Sequence, residues 1–160
     1  MIMRRFINIF AAFAVIVCAA ACSKESTQTQ KYLAPELIGE WHLTEAVAEG
    51  IVISSEIDVY LAISPDFGFE LYQKSGSQSV RYDKFTGTCE CKDGLLCGTY
   101  SNGEAWASRY SFTLTKDGLV LKSFNRLEEQ RYVKAEIPAQ VKEEANVITK
   151  SAAASLAPIL

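Results

Sequence analysis

The 160-residue chain has one histidine, His42, and no basic run longer than the Arg4-Arg5 pair. Its 16 basic residues are outnumbered by 19 acidic ones, giving a formal charge of −3. The electrostatic footprint of phosphate neutralisation is missing, so nucleic acid is not an expected partner. A lone histidine removes most general-base chemistry. No G-x-S-x-G nucleophile turn, phosphate-cradling glycine loop or metalloprotease helix is present. The adjacent acidic pairs Glu128-Glu129 and Glu143-Glu144 diverge in space in either a strand or a helix, and read as solvated charge. A membrane-spanning helix needs about 20 apolar residues, whereas Phe6 to Ala21 supplies 16, one of them Asn8. The chain is therefore read as a non-enzyme without a cofactor. Its 49% hydrophobic and 22% charged residues describe one ordinary globular domain.

The N-terminus is present as a signal in three parts. Basic Arg4-Arg5 precedes the apolar run Phe6 to Val17, and the small residues Ala19-Ala20-Ala21 precede Cys22. Small residues immediately before a cysteine resemble the lipobox of bacterial lipoproteins, in which that cysteine becomes the first mature residue and is lipidated. Cys22 follows Ala21 and fits, whereas Cys18 follows β-branched Val17 and does not. Ala19 stands where the lipobox usually has Leu, and plain secretion with cleavage near Ala21 is the alternative. Loss of Arg4 and Arg5 leaves 14 basic and 19 acidic residues, a mature side-chain charge of −5. Ser23 follows the cysteine where an inner-membrane retention signal would have Asp, so the resemblance implies an outer-membrane anchor carrying palmitate-type acyl chains, facing the periplasm or the outside. Domains are expected at 1–21 (signal peptide), 22–36 (lipidated Cys22 and a flexible tether), 37–137 (β-barrel) and 138–160 (C-terminal helix and tail).

From Leu37 onward, short alternating runs are separated by turn residues. The expected strands are Leu37 to Val47, Asp58 to Ser64, Phe69 to Gln73, Val80 to Lys92, Leu95 to Tyr100, Ala105 to Thr115, Leu119 to Phe124 and Glu128 to Glu136. Connections such as Asp93-Gly94, Asn102-Gly103 and Asp117-Gly118 are too short for parallel crossovers. Strands joined in order, with few open edges, favour an all-β, eight-stranded antiparallel up-and-down barrel. After Pro138, Val141, Ala145, Ile148 and Ala152 recur at helical spacing and predict one closing amphipathic helix, with Lys142, Glu143, Glu144 and Lys150 on its solvated faces.

Alternation also predicts register. Trp106, Tyr110, Phe112 and Leu114 share a face that should point inward. A three-residue loop Ser101-Asn102-Gly103, with Gly103 left-handed, opposes Tyr100 to Glu104, Gly98 to Trp106 and Leu96 to Ser108. Gly98 then makes room for the indole. A two-residue turn at Asp93-Gly94 pairs Cys91 with Leu96 and Glu90 with Cys97, so Cys97 faces away from Cys89 and Cys91. A three-residue turn would pair Cys89 with Cys97 but bring Glu90 and Lys92 inward. An odd count leaves at least one thiol free, and a zinc site lacks a fourth ligand, so structural cysteines are the expectation and no metal is assigned. His42 should face solvent, opposite Trp41.

Gly39-Glu40-Trp41 at the first strand resembles the G-x-W motif of lipocalins, and the length, eight strands and trailing helix are similar to bacterial lipocalin-like (calycin-type) lipoproteins. An early tryptophan can plug the closed end of a barrel, while Gly39 lets the crossing chain come close. The resemblance also implies a basic residue from late in the sheet against that tryptophan, either Arg126 or Arg131.

Two readings follow. In the first, a membrane-anchored barrel lined by Tyr100, Trp106, Tyr110 and Phe112 binds a small apolar or amphipathic ligand. It requires a cavity above about 300 Å³ open at one end. In the second, the barrel is filled, and its outer surface, including Val120 and Phe124, contacts an envelope protein or glycan.

Overall fold

Eight strands close into an antiparallel barrel because each alternating run buries one face and pairs with its neighbour in sequence. A computed structural model of the protein describes residues 31–75, 79–116, 118–149 and 157–160. The signal peptide, Cys18, Cys22, Asp117, Lys150 and Ala152 lie outside the described residues.

The elements are β1 (Gly39–Ala48), β2 (Ile51–Val52), β3 (Ile57–Ile63), β4 (Gly68–Ser75), β5 (Asp83–Lys92), β6 (Leu95–Tyr100), β7 (Tyr110–Leu114), β8 (Gly118–Ser123), β9 (Glu128–Lys134), α1 (Ala139–Glu144) and β10 (Asn146–Val147). The barrel runs β1-β3-β4-β5-β6-β7-β8-β9 and closes by pairing β9 with β1. Short β2 forms a hairpin on the end of β1, and β10 adds in parallel to the start of β5. The expected eight strands are thus the eight of the barrel.

The connections sort by end. The segments 49–56, 79–82, 101–109 and 124–127 gather at one end, the mouth, and 64–67, 93–94 and 135–138 at the other. The Asp93-Gly94 turn has φ values of 53° and 76°, both left-handed as a two-residue hairpin of right-handed strands demands. It sets Glu90 opposite Cys97 and Cys91 opposite Leu96, as read from the sequence, and all three thiols are free.

At the next hairpin the expected loop forms. Gly103 has φ 90°, Tyr100 N–H donates to Glu104 O at 2.8 Å, and Trp106 N–H donates to Gly98 O at 2.9 Å. A Cβ on Gly98 would lie 2.3 Å from the Trp106 ring, so only glycine fits beneath the indole. Beyond Trp106 the expectation needs correction: Leu96 pairs with Tyr110, not Ser108. The strand expected over Ala105 to Thr115 is interrupted because Ser108 Oγ bonds the Arg109 carbonyl and the Asn125 side chain and accepts from Ser123, which draws 107–109 out of the ladder. The register slips by two residues, an even number, so Trp106 and Tyr110 still face inward.

Two boundaries also move. The tether expected over 22–36 stops short of Tyr32: Cys91 N–H donates to Tyr32 O at 2.6 Å, and Leu33 and Ala34 join the core before the 3₁₀ turn Pro35–Leu37. The single helix expected after Pro138 is only α1. It ends at Ala145, whose φ and ψ of −66° and 139° are extended, and Asn146 N–H then donates to Tyr82 O at 2.8 Å, so sheet pairing replaces the next helical turn.

Candidate functional site

Phe69, Leu71 and Gln73 of β4, and Gln130 and Tyr132 of β9, are buried at alternate positions. The alternation that buries the apolar members also carries two amides inside, each 2% exposed. A buried amide without partners costs about 1–3 kcal/mol, so both must be satisfied. Residues 157–160 supply most of what they need. Gln73 Nε2 donates to Ala157 O at 2.9 Å, and Gln73 Oε1 accepts from Ile159 N–H at 3.0 Å. Gln130 Nε2 donates to Ile159 O at 3.0 Å, while its Oε1 accepts from Tyr132 OH at 2.6 Å. Tyr100 OH donates to Leu160 O at 2.8 Å, and Tyr110 OH to Ile159 O at 3.4 Å. Leu160 is 1% exposed and belongs to the core.

Beside this segment a cavity of about 280 Å³ opens at the mouth. Ala46, Ile53 and Ile57 form its apolar wall, Gln73 and Gln130 its inner polar groups, and Arg126 and Glu128 its rim, where their side chains pair at 3.5 Å. Burial raises the phenol pKa values of Tyr100, Tyr110 and Tyr132, so all three stay neutral donors at physiological pH. The inner polar groups of the cavity are the neutral amides of Gln73 and Gln130. They can hold an amide or carbonyl group attached to an apolar chain.

Tyr100, Trp106 and Tyr110 are buried and face inward, and half-buried Phe112 packs against the same core. Edge-to-face contacts join Phe69 to Tyr100 at 5.6 Å, Phe69 to Trp106 at 5.1 Å and Trp106 to Tyr110 at 6.1 Å between centroids. None of the four lines the mouth cavity. Tyr100 and Tyr110 reach the site only through their hydroxyls on residues 159 and 160. Sequence reasoning missed Gln73 and Gln130. The available signal was a polar residue at a position whose neighbours two away are apolar and inward.

At the other end Trp41 is buried, and its Nε1–H donates to Leu37 O at 3.0 Å. The basic residue against it is Lys134, with Nζ 5.3 Å from the ring centroid, and not Arg126 or Arg131. The pairing of β1 with β9 places Lys134 directly opposite Trp41. Arg131 pairs instead with Glu45 and Glu129 outside the barrel. Gly39 has φ 140°, and a Cβ there would meet Lys134 Cε at 3.3 Å.

His42 faces outward as expected, half-buried. Its Nε2 is 2.9 Å from Asp58 Oδ1 and its ring stacks on Tyr60 at 4.4 Å. Tyr82 OH also donates to Asp58, and Lys74 stands 3.7 Å from the same carboxylate. Burial pushes the Cys89 thiol up to about 12, which leaves it protonated and inert. Among the described residues, no cluster of histidine, cysteine and carboxylate suits a metal ion, and no helix is long and apolar enough to cross a membrane.

No protein-family model matches the chain, and no curated protein matches it. Among solved structures, an uncharacterized protein from Bacteroides eggerthii is similar, with 16% identity, 62% of this chain and 99% of that chain covered, and a TM-score of 0.45. The lipoprotein YedD from Klebsiella pneumoniae is also similar, with 12% identity, 71% of this chain and 85% of that chain covered, and a TM-score of 0.45.

Proposed function

We propose that the protein is a lipid-anchored, lipocalin-like barrel that binds a small apolar or amphipathic ligand at its mouth and performs no catalysis. The supporting observation is the open cavity of about 280 Å³, whose apolar wall converges on the buried amides of Gln73 and Gln130. At about 280 Å³ the cavity falls short of the roughly 300 Å³ expected of such a site, with residues 157–160 packed beneath it. The lipobox at Cys22 supplies the anchor, in the outer membrane and facing the periplasm or the outside. Cys91 N–H donates to Tyr32 O beside the 93–94 turn, at the end away from the mouth.

The test is native mass spectrometry, with lipid extraction, of the acyl-free chain purified from its native host. A co-purifying small molecule that is lost in Ile53→Glu, which puts a charge in the mouth, is the expected result. A bare mass and no binding of an environment-sensitive hydrophobic dye would overturn it. The second reading, a filled barrel that contacts an envelope protein or glycan, is favoured by one observation. Ile51, Val52, Val80, Phe124 and Leu127, all exposed, sit in mouth-end segments.

A further inference from the structure

We propose that the mouth is a peptide-reading site: it binds the extended main chain of an apolar segment from another protein, and residues 157–160 are an intramolecular occupant that such a segment displaces. This rests on the ligand-binding reading above and names the ligand class.

The first argument is the chemistry of recognition. Gln73 uses both ends of its amide on one short stretch of backbone, donating to Ala157 O and accepting from Ile159 N–H. This is how a neighbouring strand would read that backbone. Gln130 donates to the carbonyl of Ile159, two residues on from Ala157, and Tyr100 to Leu160 O. The bonds from Gln73 and Gln130 address main-chain groups, which every peptide presents, and a plain hydrocarbon or fatty-acid tail has no amide N–H to offer Gln73 Oε1. Apolar side chains are selected by what surrounds the backbone: Leu160 is buried in the core and Ile159 packs against it.

The second argument is size. A site made only to store residues 157–160 would close around them. Instead the cavity of about 280 Å³ lies directly against Ala157, Pro158 and Ile159 and opens to solvent. The mouth therefore admits larger side chains than its resident provides. Its wall continues outward as an apolar surface. Val47 and Ala48 line the cavity and pair with exposed Val52 and Ile51, and the neighbouring Leu127, 80% exposed, accepts Glu49 N–H through its carbonyl at 2.8 Å.

The probe is a fluorescein-labelled peptide of sequence Leu-Ala-Pro-Ile-Leu, titrated by anisotropy into the full mature chain and into its Ile159→Asp variant, which ejects the resident segment. The expected result is saturable binding to both, at least tenfold tighter to the variant, and lost in Ile159→Asp/Gln73→Leu. Near-UV circular dichroism reports that each barrel is folded. Hydrogen exchange of the unsubstituted protein needs no variant: excess peptide should speed exchange of the Ile159 amide, which Gln73 protects. If the hydrophobic dye binds but the peptide neither binds nor alters that exchange, the peptide inference is overturned and the ligand-binding reading survives. If neither binds to a folded barrel, both fall. A concentration-dependent dimer that the peptide does not dissolve would also overturn it, because the occupant would then be a second copy of the chain.

Discussion

Gln73 and Ile159, 86 positions apart, are joined by a main-chain N–H that donates to a buried amide oxygen at 3.0 Å. Gln73→Leu removes that acceptor and the donor to Ala157 O together. It is expected to destabilise the fold by about 1–3 kcal/mol, the cost of leaving buried main-chain groups unpaired. Urea unfolding of the two proteins side by side measures this. An unchanged midpoint would mean that water replaces the amide.

Gly98→Ala forces a methyl to within 2.3 Å of Trp106. Overpacking of this kind costs about 1–3 kcal/mol, and the near-UV dichroism of the indole should change with it. Adding Trp106→Leu should restore part of the loss, which a thermal melt of single and double variants will show.

Lys134→Ala is expected to cost about 0.5–1 kcal/mol through loss of its contact with the Trp41 face. It should also shift the Trp41 emission, measured in a Trp106→Phe background. Arg126→Ala and Arg131→Ala should leave that emission unchanged.

Acid stability should depend on Asp58. Burial raises its carboxyl, but hydrogen bonds from Tyr82 and His42, with the Lys74 charge nearby, outweigh this and hold it below the ordinary value of 3.8. A carboxylate more acidic when folded stabilises the fold above its unfolded value, and that contribution fades as pH falls through the folded value. Asp58→Asn should therefore lower stability at neutral pH and flatten its decline below about pH 4. Unfolding midpoints from pH 7 to pH 2 test the slope.

Thiol chemistry should separate the cysteines. With its pKa pushed up to about 12 by burial, Cys89 is expected to be the slowest of Cys89, Cys91 and Cys97 to alkylate in the native protein at pH 8. All three should alkylate without reductant once the chain is unfolded. Peptide mapping after timed alkylation gives both results.

The barrel was legible in the sequence because its determinants are local. Alternation at Trp106, Tyr110 and Phe112, the left-handed residues of Asp93-Gly94 and Gly103, and the Gly98 opposite Trp106 act within two adjacent hairpins. A period of two and a tight turn leave little freedom about which faces meet. Even the slip at 107–109 spared the inward set, since two extra residues preserve alternation.

What packing alone decided lies between distant positions. Nothing near Trp41 distinguishes Lys134 from Arg126 or Arg131; the register of β9 on β1, the strand pairing that closes the barrel, makes that choice. Nothing near Val141 reveals that the helical spacing stops at Ala145, where the start of β5 offers a sheet edge to pair with. Residues 157–160 carry no periodicity, and their place inside the mouth follows from the unmet hydrogen bonds of Gln73 and Gln130, which exist as a demand only once the barrel has closed around them.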